Sequence, residues 1–174
     1  MENMGNEIQI TTIDCLVPSL VDQFSDLLIR VVEDGASIGF LPPLSMDEAV
    51  KYWNDVIEPG VILWAAVLND TLVGTVQLQL AQKQNARHRA EIAKLMVHPQ
   101  YRRKGIAQLL MQAAEDQARM EGRSLLILDT RAGDPSNKLY LSLDYIEAGR
   151  IPNFAQSADG TLHETVLYYK KIGQ

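Results

Sequence analysis

"HPQYRRKGIAQLLM", residues 98–111, sets four cationic or imidazole side chains within seven positions, then a glycine, then an apolar run at helical spacing. The first amides of a helix have no intrahelical acceptor, and with the helix dipole they favour an anion. Gly105 lets the backbone approach a ligand closely, while Arg102, Arg103 and Lys104 add positive charge at the same place. The stretch reads as an anion site fitted for a phosphate or pyrophosphate, mounted on an amphipathic helix over 106–121. In that helix Ile106, Leu109, Leu110 and Ala113 are expected to face the core, and Gln108, Gln112, Glu115 and Arg119 the solvent.

The flanks place this site in a fold. An apolar strand over 90–97 precedes it and a very apolar strand over 125–128 follows the helix, a right-handed βαβ pattern with parallel strands, the second expected to be buried on both faces. Upstream, strands over 61–68 and 71–80 flank Asn69-Asp70, a tight hairpin turn. Apolar residues recur at helical spacing over 18–33, and Ser45 is a suitable N-cap for a helix to about residue 56 that Pro59-Gly60 closes. A short strand over 7–12 opens the order, and a short helix over 137–143 with strands over 145–149 and 165–170 ends it. The fold class is α/β, a mixed sheet with helices on both faces.

Composition excludes several roles. The 174 residues suit one domain, 1–174. With 16 Lys+Arg against 22 Asp+Glu the net charge is −6, which argues against nucleic acid or an anionic membrane as partner. No apolar run reaches the roughly 20 residues of a bilayer span. "MENMGNEIQI" lacks the basic and apolar segments of a secretory leader, and the lone Cys15 excludes an internal disulfide, so a cytoplasmic protein is expected. No histidine or cysteine has metal-ligand spacing; His88, His98 and His163 are expected at the surface.

The Walker pattern G-x-x-x-x-G-K-[ST] and the dinucleotide pattern G-x-G-x-x-G after a strand are both absent. What stands instead is R-x-x-G-x-A, residues 102–107, behind an apolar strand and opening a helix. It resembles the acyl-CoA pyrophosphate loop [QR]-x-x-G-x-[GA] of the GNAT family of N-acetyltransferases. "GASIGF", "HRAEIAKLMVHP", "LLILDTRAG", "LYLSLDY" and "DGTLHETVLYYK" extend the resemblance over most of the chain from about residue 35, with a particular likeness to the tabtoxin-resistance type. The resemblance implies the acyl-CoA N-acyltransferase fold, a mostly antiparallel sheet with one parallel pair, with acetyl-CoA as co-substrate and no metal. It implies that backbone groups of Leu95, Met96 and Val97 bind pantetheine and polarise the thioester carbonyl, that Arg102, Arg103, Lys104, Gly105, Ile106 and Ala107 hold the pyrophosphate, and that Tyr140 lies beside the thioester sulfur. Two positions depart from the family pattern. Gly133 stands where an asparagine is common, seven residues before the tyrosine, and Asp144-Tyr145 replaces Gly-Phe. Asn137 is not the matching position and is not given the asparagine's role. Many family members are dimers; a homodimer and a monomer fit this chain equally.

Acetyl transfer to an amine needs a deprotonated nucleophile, a polarised carbonyl and a stabilised leaving thiolate. Glu91 lies on the strand that enters the loop, and Asp129 at the end of the next parallel strand, where open α/β sheets bind ligands. Either can accept the ammonium proton, directly or through water. Glu91 is the preferred base, with Asp129 orienting a cationic substrate or sharing the relay. The Tyr140 phenol, of ordinary pKa about 10 against about 8.5 for a thiol, can hydrogen-bond to or protonate the thiolate. Each has a plainer account. Glu91 can pair with Arg87, Arg89 or Lys94 on a solvated face, Asp129-Thr130 can be a strand-end turn, Tyr140 a core aromatic, and 102–104 a solvated basic turn.

Ser37, Ile38 and Phe40, in the loop between the first two helices, are candidate acceptor-binding residues, and the acidic cleft suits a small cationic amine. The expected activity is acetyl-CoA-dependent N-acetylation of a primary amine on a small molecule, an antibiotic or toxin among the candidates, by direct attack in a ternary complex. The alternatives are a non-catalytic acyl-CoA sensor, a protein or peptide N-acetyltransferase, and a domain that binds another phosphate through the basic loop.

Overall fold

Strand and helix alternate along the chain as β1 (Gln9–Ile13), α1 (Pro18–Glu33), α2 (Met46–Asn54), β2 (Val61–Leu68), β3 (Thr71–Leu80), β4 (Arg89–Val97), α3 (Ile106–Met120), β5 (Leu125–Arg131), α4 (Ser136–Ser142), β6 (Ile146–Gln156) and β7 (Leu162–Lys171). These elements come from a computed structural model that describes residues 7–173. The leader reading of the opening segment rests on residues 1–6 and lies outside the described residues. Local chemistry sets several boundaries. Pro18 begins α1, where its missing amide costs nothing. Ser45 and Glu48 form a reciprocal capping box at α2, each backbone amide donating to the other's side chain at 3.2 Å. Asn69 and Asp70 take φ of 49° and 60°, the left-handed pair that a two-residue hairpin between β2 and β3 requires.

All seven strands join one sheet in the order β1-β2-β3-β4-β5-β7-β6, antiparallel except for the β4–β5 pair. One core lies under α1 and α2, where Phe24, Leu28 and Trp53 meet Leu63, Ala65 and Met96. The other lies under α3 and α4, where Ile106, Leu110 and Ala114 meet Val76, Ile92 and Leu126. Gly74 on β3 admits α3 closely, since a Cβ there would stand 3.0 Å from Ile106 Cγ2.

The β4–β5 ladder is short. It holds Arg89↔Leu125, Ala90↔Leu126 and Glu91↔Ile127, and then the strands part while β4 continues against β3 and β5 against β7. The gap between them is the architectural feature that carries the site.

Several expectations are corrected. β5 is not buried on both faces: Leu126 and Leu128 are buried, but Leu125 and Ile127 are only half-buried. Helices lie on both faces of the sheet as expected, but the core under α1 and α2 takes no described residue from β5, β6 or β7, whose buried apolar residues pack on the α3/α4 face. In α3, Leu109 is 43% exposed, Met111 is buried, and Glu115 is buried because Lys170 of β7 pairs with it at 2.7 Å. β5, β6 and β7 each run longer than the sequence suggests. His98 is buried, its Nδ1 accepting from the Gln100 amide and its ring meeting Tyr101 edge-on.

Candidate active site

Strand pairing puts Val61, Gln79, Glu91, Ile127, Tyr169 and Ile146 in one row across the sheet. Side chains alternate along a strand, so Glu91, and Asp129 two residues beyond Ile127, project from the same face, the one that carries α1 and α2. Glu91 is the last paired residue of its β4 rung, and Asp129 stands on the far side of the gap. The gap opens into a cleft of about 1000 Å³ lined by both carboxylates, by 92–97 of β4, by the loop after α1 and by the start of α3.

Within the cleft β4 carries a bulge. Thr75 pairs with Met96 but Gln77 with Ala93, so Val76 alone stands opposite Lys94 and Leu95. Lys94 takes a φ of 53°, and this kink turns the strand's course beside the gap. Leu95, Met96 and Val97 all line the cleft on the unpaired side of β4.

At the other end the basic turn meets the start of α3. Gly105 is the N-cap in left-handed conformation, φ 77°, and a Cβ built there meets nothing within 4 Å, which leaves the helix amides open to the cleft. Arg103 also has a positive φ of 64°. Arg102, Arg103, Gly105, Ile106 and Ala107 line the cleft; Lys104 does not, its Nζ lying 5.2 Å from the Tyr101 ring centre. Arg102 reaches back to Asp34 at 2.6 Å, joining this turn to the end of α1. An open helix N-terminus with flanking guanidinium groups is the donor set that a pyrophosphate needs.

Burial, and after it the Asp129 charge, push the Glu91 carboxyl above the usual carboxylate range, with Arg89 and Lys94 pulling part of the way back. No ion pair among the described residues involves Glu91, so the simple surface pairing is not what holds it. Asp129 accepts a hydrogen bond from Thr165 Oγ1 at 2.8 Å, which fixes its orientation. Tyr140 comes from α4 on the opposite face, packed against Tyr145 and Tyr168, and still lines the cleft. Burial first, then Asp129, drives its phenol pKa strongly upward, so it stays neutral and remains a hydrogen-bond donor.

The structure thus brings together Glu91, Asp129, Tyr140, the β4 backbone segment and the basic turn. Ser37 and Ile38 join them, but Phe40 turns away and packs edge-on against Tyr52 of α2. Gly133 sits in a turn with φ 84°, while Asn137 is engaged structurally: its Nδ2 donates to the Arg131 and Asp134 carbonyls, and its Oδ1 accepts from the Tyr168 hydroxyl. Lys94 and Arg131 are among the cleft residues that sequence reasoning missed. Lys94 was read only as a surface partner for Glu91, since a bulge between two apolar strands leaves no compositional mark. Arg131 was placed beyond the end of its strand, because the polar triplet 129–131 resembles a turn. Among the described residues no cluster of three or more His, Cys, Asp or Glu is arranged to hold a metal.

A family model described as "Acetyltransferase (GNAT) family" matches residues 25–145. An N-acetyltransferase encoded in the hisH–hisA intergenic region of Azospirillum brasilense is 28% identical over 128 residues, 72% of this chain and 76% of the relative. An N-acetyltransferase of Staphylococcus aureus superposes with a TM-score of 0.81 at 16% identity, covering 96% of this chain and 99% of that one. An acetyltransferase of Salmonella typhimurium, solved with its cofactor acetyl-CoA, superposes with a TM-score of 0.79 at 16% identity, covering 97% and 96%. The divided sheet, the open helix N-terminus behind R-x-x-G-x-A and the family match over most of the chain lead to one conclusion: this protein belongs to the GNAT family of N-acetyltransferases, whose acyl donor is acetyl-CoA.

Proposed function

We propose that this acetyltransferase acetylates the primary amine of a small cationic molecule by direct attack in a ternary complex, with Glu91 as the base, Asp129 orienting the ammonium group and Tyr140 serving the departing sulfur. The observation that carries this reading is the placement of these groups on opposite faces of the divided sheet. Two carboxylates stand on the α1/α2 side and a neutral phenol on the α3/α4 side of one gap. An amine approaching from the first face meets its proton acceptor. A leaving group on the second face meets a hydrogen-bond donor.

Acetyl-CoA supplies the activated acyl group. The residues suited to hold it are Arg102, Arg103 and the α3 amides for its phosphates, with Lys104 adding charge from outside the lining. The backbone of Leu95, Met96 and Val97 suits its pantetheine and the thioester carbonyl. Glu91, with its raised pKa, takes a proton from an ammonium group at less cost than an exposed carboxylate does. Because Tyr140 is a weaker acid than a free phenol, its role is to donate a hydrogen bond to the thiolate rather than to surrender its proton outright. On the acceptor side, Ser37 and Ile38 with exposed Phe154 offer apolar and hydroxyl contacts beside the carboxylates. The exposed free Cys15 suits a reducing compartment, and we place the activity in the cytoplasm.

The test is a pH–rate profile of wild type and Glu91→Gln on a panel of small amines, with products identified by mass. Wild-type kcat/KM rises through the elevated Glu91 pKa, because the base works only when deprotonated. The amide variant loses about 10²- to 10⁴-fold near neutrality and recovers at higher pH, where the amine deprotonates by itself. An unchanged profile removes Glu91 from the role of base.

A further inference from the structure

The loop that follows α1 is bound to both arms of the divided sheet by cations. Lys94 Nζ, from β4, donates to the Ile38 carbonyl at 2.7 Å. Arg131 Nη2, from β5, donates to the Gly35 carbonyl at 3.0 Å, while its Nε donates to Asp134 at 2.9 Å. A third cation, Arg102, holds Asp34 where α1 ends. The loop is therefore strung between strands that no longer pair with each other, and these ties to its backbone carbonyls add to the packing of Ala36, Ile38 and Phe40 against the core under α1 and α2.

Lys94 is the least replaceable of these ties. It occupies the left-handed position of the β4 bulge, a conformation that costs a non-glycine residue roughly 1 kcal/mol or more and persists where surroundings impose it. Its ammonium lies 5.9 Å from the Phe40 ring centre, and a Cβ at Gly39 would come within 3.3 Å of Nζ. Burial lowers its pKa, and the Asp129 and Glu91 charges oppose that shift. No ion pair among the described residues involves Lys94. It stands as a fixed charge that spends its hydrogen bond on the loop and its field on the two carboxylates.

We propose that Lys94 and Arg131 are positioning residues for the acceptor: together they hold residues 35–38 across the acceptor end of the cleft. The proposal rests on the reading of that end as the acceptor side and not on the choice of base.

The experiment compares Lys94→Met, Lys94→Arg and Arg131→Met by two readouts. The first is hydrogen exchange in the ligand-free protein at the Gly35 and Ala36 amides, which donate to Val32 and Val31. The second is steady-state kinetics with acetyl-CoA and an accepted amine. Both methionine variants are expected to exchange these amides faster and to raise the acceptor KM about tenfold, with the acetyl-CoA dissociation constant unchanged. Lys94→Arg is expected to restore both the slow exchange and the acceptor KM. Unchanged exchange and unchanged acceptor KM in Lys94→Met overturn the proposal. Faster exchange with an unchanged acceptor KM overturns the positioning role and leaves only a structural tie. Failure of the wild type to acetylate any amine refutes the proposed function instead, while the exchange readout still tests the tether.

Discussion

Tyr140 combines two demands on one side chain. Its ring packs in the core against Tyr145 and Tyr168, and the residue also lines the cleft, where we propose that its hydroxyl acts. Tyr140→Phe keeps the ring and removes only the donor, so turnover is expected to fall about 10- to 100-fold while acetyl-CoA binding measured by calorimetry stays the same. A variant with full turnover would make Tyr140 a packing residue alone. The same double character explains what could be read from residues alone. Glu91, Asp129 and the R-x-x-G-x-A turn were visible because their chemistry is tied to strand ends and a helix start. His98 was misplaced because its burial depends on the Tyr101 ring and the Gln100 amide that close against it, and neither a loop nor a following proline reveals that. Glu115 was assigned to solvent for a similar reason, since its partner Lys170 is fifty-five residues away.

Helices and strands were legible where pattern and punctuation agree. The bounds of α1, β2 and β3 match those read from apolar spacing and the Asn69-Asp70 turn. β6 was cut short at Gly149 because glycine and Pro152 usually interrupt strands. In the sheet β6 is an edge strand, and register shifts at 147/149 and 151/155 absorb both residues. The end of α4 shows a local cost. Asp144 adopts φ 65° just beyond the helix, and the Tyr145 amide closes back on the Tyr140 carbonyl at 3.0 Å, an arrangement that favours glycine. Asp144→Gly is expected to stabilise the protein by up to about 1 kcal/mol, read as a rise of a few degrees in melting temperature, without changing kinetics. A fall in melting temperature would show that the aspartate side chain repays its conformation.

For the whole molecule, the sheet is two ladders joined by three β4–β5 rungs and by the α3 crossover. A ligand lying in the gap touches both ladders, so its binding energy is added to the link between them. Saturating acetyl-CoA, at a hundred times its dissociation constant, is expected to stabilise the fold by about 2.7 kcal/mol. For a chain of this length that is a rise of about 5–10 °C in calorimetric melting temperature, with no such shift from ATP at equal concentration. A larger shift with ATP would contradict the assignment of the basic turn to acetyl-CoA.

Strand order also governs when this site can exist during synthesis. β7 lies between β5 and β6, so neither neighbour can complete its ladder until residues 162–171 have been made. Until then the strand that bears Asp129 is held to the rest of the sheet by its three rungs to β4, and the Thr165 hydroxyl that orients the carboxylate does not yet exist. A nascent chain stalled before Leu162, or one shortened there by a premature stop, would carry the complete basic turn and Glu91 on a finished half-sheet. The other wall of its cleft would remain unbuilt.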